Sequence, residues 1–136
     1  MFLKKKILAI SGSPRKNGNT DYLLDCFLRS ANARKIDLNI LYLRDLDINP
    51  CNGCEKCRKD GICTNFSDDM QSIYPLIFDS VGLIIGSPTH NYNVPALVKT
   101  FIDRLYCFYD FTDDRPRRYS SKLANQSRQA IIFGIG

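Results

Sequence analysis

Two stretches are apolar almost without interruption, Lys6–Gly12 (KILAISG) and Val81–Ser87 (VGLIIGS), and each ends in small residues. Continuous runs of this length predict strands buried on both faces. Asp37–Leu43 (DLNILYL) alternates in part and Ala130–Gly136 (AIIFGIG) closes the chain, which adds two further strands. Helical patterns lie between them. Leu23, Leu24, Phe27, Leu28 and Ala31 share one face of a helix over 20–34. Asp68 and Gln71 have the spacing of a capping box for a helix over 68–79. Pro75 is expected to kink or restart that helix, since an interior proline costs roughly 3 kcal/mol. A third helix, 95–108, opens at Pro95 and turns Leu97, Phe101, Ile102, Leu105 and Phe108 to one side. The predicted order is strand 6–12, helix 20–34, strand 37–43, helix 68–79, strand 81–87, helix 95–108 and strand 129–135. Such alternation predicts an α/β fold, a three-layer doubly wound parallel sheet covered by helices on both faces.

The chain has 136 residues, which predicts one domain over 1–136 with enough buried surface to fold without covalent staples. The basic start MFLKKKILAISGSPRK has only Ile7–Ile10 as an apolar run before Ser11, too short for a signal-peptide core, and no run approaches membrane-spanning length. The expectation is a cytoplasmic protein without a membrane partner, in a compartment where clustered cysteines bind metal or carry redox chemistry rather than cross-link. A net charge of +5, spread along the chain, gives no support to nucleic-acid binding. It suits small anionic ligands equally well.

Ligands of doubly wound sheets bind beyond the carboxyl ends of the strands, so the loops after the first and third strands carry the chemistry. The first is SGSPRKNGNT, Ser11–Thr20, which combines glycines, hydroxyls at Ser11, Ser13 and Thr20, amides at Asn17 and Asn19, and Arg15. Placed before a helix, this is the composition of an anion cradle, where free N–H groups and the helix dipole favour a phosphate. It lacks both GxxxxGK[ST] and GxGxxG, which argues against a nucleoside triphosphate and against a dinucleotide. The same residues are ordinary in turns and caps, which is the competing reading. The second loop, SPTHNYNVPA, adds Pro88, Thr89, His90, Asn91, Tyr92 and Asn93, whose amides and rings suit a flat heterocycle. A phosphate on one loop and a planar ring on the other describe flavin mononucleotide, FMN. His90 is the sole histidine, and no residue stands out as an acid–base catalyst.

Cys51, Cys54, Cys57 and Cys63 are spaced C-x2-C-x2-C-x5-C. Compact runs with two-residue gaps are common among iron–sulfur ligands, whereas structural zinc more often uses two separated two-thiol knuckles. Free thiols on an ordered loop are the alternative. Cys26 and Cys107 fall within helical patterns and read as small apolar fillers. Arg115, Arg117 and Arg118 lie in a polar segment, 110–126, that reads as a solvated loop, the alternative being contact with a nicotinamide dinucleotide phosphate or a dimer partner.

Three motifs in order, GSPRKNGNT, then PCNGCEKC through GIC and DDM, then GSPTHNYNVPALVKTFIDRL, resemble the NADPH-dependent FMN reductase branch of the flavodoxin-like superfamily and, within it, the iron–sulfur flavoproteins. The resemblance implies an FMN-binding redox protein, homodimeric or of higher order, with the flavin ring near the subunit interface. It implies that Ser11, Ser13, Arg15, Asn17, Asn19 and Thr20 hold the FMN phosphate, with Pro14 and Gly18 in the same cofactor loop. Pro88, Thr89, His90, Asn91, Tyr92 and Asn93 would line the ring and ribityl chain, His90 standing where many relatives have tyrosine. The four cysteines would hold a [4Fe-4S] cluster. Two functions follow: electron transfer from NAD(P)H through FMN to a flavin, quinone or other small-molecule acceptor, or carriage of electrons from a ferredoxin-like donor through the cluster to FMN. The fold implied by the resemblance has strand order 2-1-3-4-5, and this chain would lack its last strand and helix.

Overall fold

The computed structural model describes residues 6–124 and 126–136; Lys4 and Lys5 of the basic start lie outside them. The apolar runs form β1 (Lys6–Ser11) and β3 (Gly82–Pro88), flanked by β2 (Asp37–Tyr42) and, at the end of the chain, Gln129–Ile135. All pairings among these four strands are parallel, with Ile10 between Leu41 and Ile85. The sheet order is β2, β1, β3 and then the strand Gln129–Ile135, as a doubly wound fold requires.

Alternate residues of β1 feed two separate cores, the period-two geometry of a strand covered on both faces. Leu8 and Ile10 pack with Leu43, Met70, Ile73, Tyr74, Ile77, Val98 and Phe101. Ala9 packs on the other side with Leu24, Ala31, Leu38 and Ile84. Helix α1 (Asn19–Ala33) therefore covers one face. On the other lie α3 (Met70–Asp79) and α4 (Ala96–Arg104), while α2 (Cys57–Asp60) is a single turn within the cysteine loop. The three-layer architecture expected from the sequence is present.

Several local expectations are corrected. Pro75 does not interrupt α3, which is helical from Met70 to Asp79. Its ring lies on the exposed side, so the disruption is confined to the unmade bond to the Gln71 carbonyl. The capping box does not close: the Gln71 amide donates instead to the carbonyls of Cys63 (2.6 Å) and Phe66 (3.1 Å). The third helix leaves α geometry after Arg104 and continues as a 3-10 turn, Leu105–Phe108. The polar segment is not simply a loop, because β4 (Tyr109–Phe111) and β5 (Tyr119–Ser121) form an antiparallel hairpin. Tyr106, Tyr109, Phe111 and Tyr119 stack along it, with Tyr106 and Phe111 centroids 5.0 Å apart. The last strand, β6 (Gln129–Ile135), is anchored by Arg128, which donates to the Ile77 (3.1 Å) and Phe78 (2.8 Å) carbonyls at the end of α3. Among the described residues no strand pairs with the outer edge of β6, where Ile132 is 74% exposed. No helix among them is long and apolar enough to cross a membrane.

Candidate functional site: two loops and a cysteine cavity

The loop after β1 enters α1 through Gly18, and no side chain caps the helix. Its first-turn amides therefore have no side-chain partner, the arrangement seen in anion sites at helix amino termini. Ser11, Ser13 and Thr20 are buried, whereas Pro14, Arg15, Asn17 and Asn19 are exposed and Gly18 lies between. Two hydroxyls hold the loop itself. Ser13 Oγ donates to the Arg15 carbonyl (3.1 Å) and accepts from the Arg15 N–H (3.2 Å). Ser11 Oγ donates to Asp21 Oδ1 at 2.7 Å.

Asp21, in the first turn of α1, is the organising residue of this loop, and sequence reasoning did not find it. It accepts from the Asn17 N–H (2.9 Å), where Asn17 takes a left-handed φ of 56°. It is paired with Arg44, Nη2 to Oδ2 at 2.9 Å, with the two side chains only 10% and 7% exposed. Arg44 Nη1 also donates to the Ser13 and Arg15 carbonyls, each at 3.2 Å. One buried ion pair thus fixes both walls of the cradle. Burial by itself pushes the Asp21 carboxyl up, but hydrogen bonds from Arg44, Ser11 and Asn17 outweigh it and hold the group below the usual carboxylate range.

Close packing joins the two flavin-loop candidates. The Gly12 N–H donates to the Gly86 carbonyl at 2.8 Å. A Cβ on Gly12 would lie 2.1 Å from Val98 Cγ2, and one on Gly86 would lie 2.5 Å from Phe133 Cζ and 2.9 Å from Thr20 Cγ2. These two glycines let β3, α1 and α4 converge on one loop. Beyond β3, the Thr89 N–H donates to the Ile135 carbonyl (2.8 Å) and Pro88 is half-buried. His90 and Asn93 exchange backbone hydrogen bonds of 2.8 and 3.0 Å around Asn91 and Tyr92, whose φ angles are 48° and 60°. Two consecutive positive φ values make a type I′ turn, and tyrosine is an unusual occupant of one. Tyr92 is 99% exposed at its tip.

The four cysteines border one open cavity of about 320 Å³, together with Phe66, Asp103 and Tyr106. Cys51 and Cys54 are exposed, Cys57 and Cys63 half-buried. None of the flavin-loop candidates lines this cavity. Among the described residues, no group of three or more His, Cys, Asp or Glu side chains is placed to hold a single metal ion. Burial and then the neighbouring Cys63, Cys51 and Cys54 push the Cys57 thiol up. Cys107, also buried, is pushed up to about 11, chiefly by burial, and fits its reading as a filler. Cys26 is half-exposed and accepts from Arg29 Nη2 at 3.1 Å.

A second buried pair was equally missed from the sequence. Arg104, at the end of α4, grips Asp68 in bidentate fashion, Nη1 to Oδ2 at 2.6 Å and Nη2 to Oδ1 at 3.0 Å, with side-chain exposures of 1% and 0%. Burial opposes the Asp68 charge, but Arg104 and Asn49 more than compensate and lower its pKa. Both Asp21 and Asp68 therefore titrate below their unfolded value of about 3.9. Their stabilisation is complete above that value and is lost as the pH falls through the folded pKa. Thermal midpoints are expected to stay level from pH 7 to about 5 and to drop steeply below about pH 4. A midpoint still level at pH 3 would contradict both pairs.

The sequence pattern of the family described as NADPH-dependent FMN reductase matches residues 5–129. An iron-sulfur flavoprotein of Methanocaldococcus jannaschii is 33% identical over 129 residues, covering 95% of this chain and 62% of the relative. An iron-sulfur flavoprotein of Clostridioides difficile is 39% identical over 102 residues, covering 74% of this chain and 45% of the relative. The chain thus spans about half to three-fifths of the length of these relatives. Among solved structures, an azoreductase from Bacillus anthracis superposes with a TM-score of 0.70 at 15% identity, over 96% of this chain and 68% of that one. That likeness establishes a shared fold. Since the family pattern runs from β1 into β6 through both candidate loops and the cysteine segment, the chain belongs to the NADPH-dependent FMN reductase family.

Proposed function

We propose that residues 1–136 form the FMN-binding unit of a cytoplasmic oxidoreductase that takes electrons from NAD(P)H and passes them to a flavin, quinone or other small acceptor. The observation that carries this reading is the uncapped start of α1 in a loop already latched by Asp21 and Arg44. Such a cradle offers backbone N–H groups to a phosphate without having to reorganise. Ser13, Arg15, Asn17, Asn19 and Thr20 would surround the phosphate. Ser11, whose hydroxyl is engaged by Asp21, would act through its backbone. The loop Pro88–Asn93 would face the ring. Bound FMN supplies hydride acceptance and release of electrons singly or in pairs; the protein's part is orientation and exclusion of water.

The second reading adds a [4Fe-4S] cluster on Cys51, Cys54, Cys57 and Cys63, fed by a ferredoxin-like donor. A single cavity bordered by all four thiols suits a group that takes four thiolates. The names of the iron-sulfur flavoprotein relatives also favour this addition. A homodimer bringing the flavin ring near the interface is part of the same proposal.

Stopped-flow absorbance of the FMN-loaded chain tests the donor. Bleaching of the flavin within seconds of adding NADPH or NADH is expected. Inertness to both, with bleaching by reduced ferredoxin, would replace the reductase reading by the carrier one.

A further inference from the structure

Both ends of the cysteine loop converge on one buried arginine. Asn49, two residues before Cys51, donates its N–H to Asp68 Oδ2 (2.9 Å), and its carbonyl accepts from Arg104 Nη1 (2.7 Å). Asp68, five residues after Cys63, receives the guanidinium on both oxygens and also accepts from the Met70 N–H (3.2 Å). The Phe66 ring closes over the guanidinium at 4.9 Å, and the Arg104 carbonyl accepts from the Tyr74 hydroxyl (3.1 Å). Arg104 thus ties the first and last residues of the loop to each other and to α4. Its sequence neighbours Asp103 and Tyr106 line the cysteine cavity, while Val98, earlier on α4, sits against Gly12 of the phosphate loop.

A pair of this kind is a poor device for stability alone. Two charges removed from water are often matched by a well-packed apolar pair, and here Arg104 Nε has no hydrogen-bond partner among the described residues. What an apolar pair could not do is hold the Asn49 N–H, the Asn49 carbonyl and the Met70 N–H at fixed positions. From this geometry we infer that Arg104 and Asp68 are positioning residues: they clamp the two ends of the cysteine loop so that Cys51, Cys54, Cys57 and Cys63 face one cavity at a set place relative to the flavin loops. The inference rests on the reading of those cysteines as a ligand set.

The test uses the full chain, reconstituted without oxygen with FMN, ferrous iron and sulfide, alongside Asp68→Asn, Arg104→Lys and the double variant Asp68→Leu/Arg104→Met. Iron per chain, FMN per chain and the thermal midpoint are read for each. FMN retention within twofold of wild type is expected throughout. Iron is expected to fall at least fivefold in Asp68→Asn and less in Arg104→Lys, which keeps one charged contact. In the double variant the midpoint should return towards wild type while iron stays low. A double variant that both melts and binds iron like wild type would overturn the clamp and leave the pair an ordinary structural contact. Should the double variant not fold, wild-type iron in both single variants has the same force. Wild-type chain that takes up no iron would instead sink the ligand reading, and iodoacetamide then decides the clamp. Cys57 and Cys63 alkylated at least fivefold faster in Asp68→Asn would uphold it, and unchanged rates would overturn it.

Discussion

Asp21→Ala is expected to destabilise the chain by about 3 kcal/mol and to weaken FMN retention at least tenfold. The carboxylate is 7% exposed and holds Arg44, Ser11 and the Asn17 N–H together. Removing it leaves the Arg44 guanidinium, 10% exposed and with no hydrogen-bond partner for Nε among the described residues, with only the half-exposed Asp45 carboxylate, 4.0 Å from Nε, as a counter-charge. Loss of a buried partner costs about 3–5 kcal/mol, and the residual solvent access of this pair puts it at the lower end. The same change frees Asn17 from its left-handed conformation, so the cradle loses its shape as well as its support. Urea denaturation and FMN fluorescence quenching measure the two effects separately. The exposed pair Lys16–Asp45, at 3.5 Å, provides the control: Lys16→Ala should change stability by less than about 1 kcal/mol. Equal effects at the two sites would mean that Asp21 is not the organiser of the loop.

Gly12→Ala is expected to have the second largest effect, about 1–3 kcal/mol, through overpacking. The added methyl would sit 2.1 Å from Val98 Cγ2, so either the loop or α4 must move. Because the Gly12 N–H also bonds the Gly86 carbonyl, either displacement separates the phosphate loop from the end of β3, and FMN affinity should fall with stability. Val98→Ala placed in the same chain removes the obstructing methyl group. It should return a large part of the FMN affinity even though Val98→Ala alone leaves a cavity. An additive double variant, no better than the sum of its parts, would show that the clash is not the cause.

The strands and the main helices were legible because their information is local and periodic. The continuous runs KILAISG and VGLIIGS read as strands covered on two faces, and the stripe Leu23, Leu24, Phe27, Leu28 and Ala31 announced α1, although Leu23 sits at its edge and is 40% exposed. What stayed hidden were pairings across the chain. Arg44 meets Asp21 over a separation of 23 residues and Arg104 meets Asp68 over 36, and neither contact leaves a periodic trace. A weaker signal was present. Arg104 follows Leu97 and Phe101 at helical spacing, so a charge lies on the apolar stripe of α4, and a charge there must find a buried partner. Asp21 likewise precedes Leu24 and Leu28 on the inner face of α1. The hairpin of β4 and β5 escaped because two three-residue strands are too short to show alternation, and the arginines between them suggested a solvated loop. The candidate site was read from motifs, which name the residues near a ligand but not those that hold the motif in shape.

The most direct measurement is the absorbance spectrum of the chain purified without oxygen and supplied with FMN, with iron and acid-labile sulfide counted against flavin. Flavin bands are the expected result, and a broad iron–sulfur background beneath them with about four irons per chain would add the cluster of the second reading. A chain that takes up neither flavin nor iron would contradict both the phosphate cradle and the cysteine site.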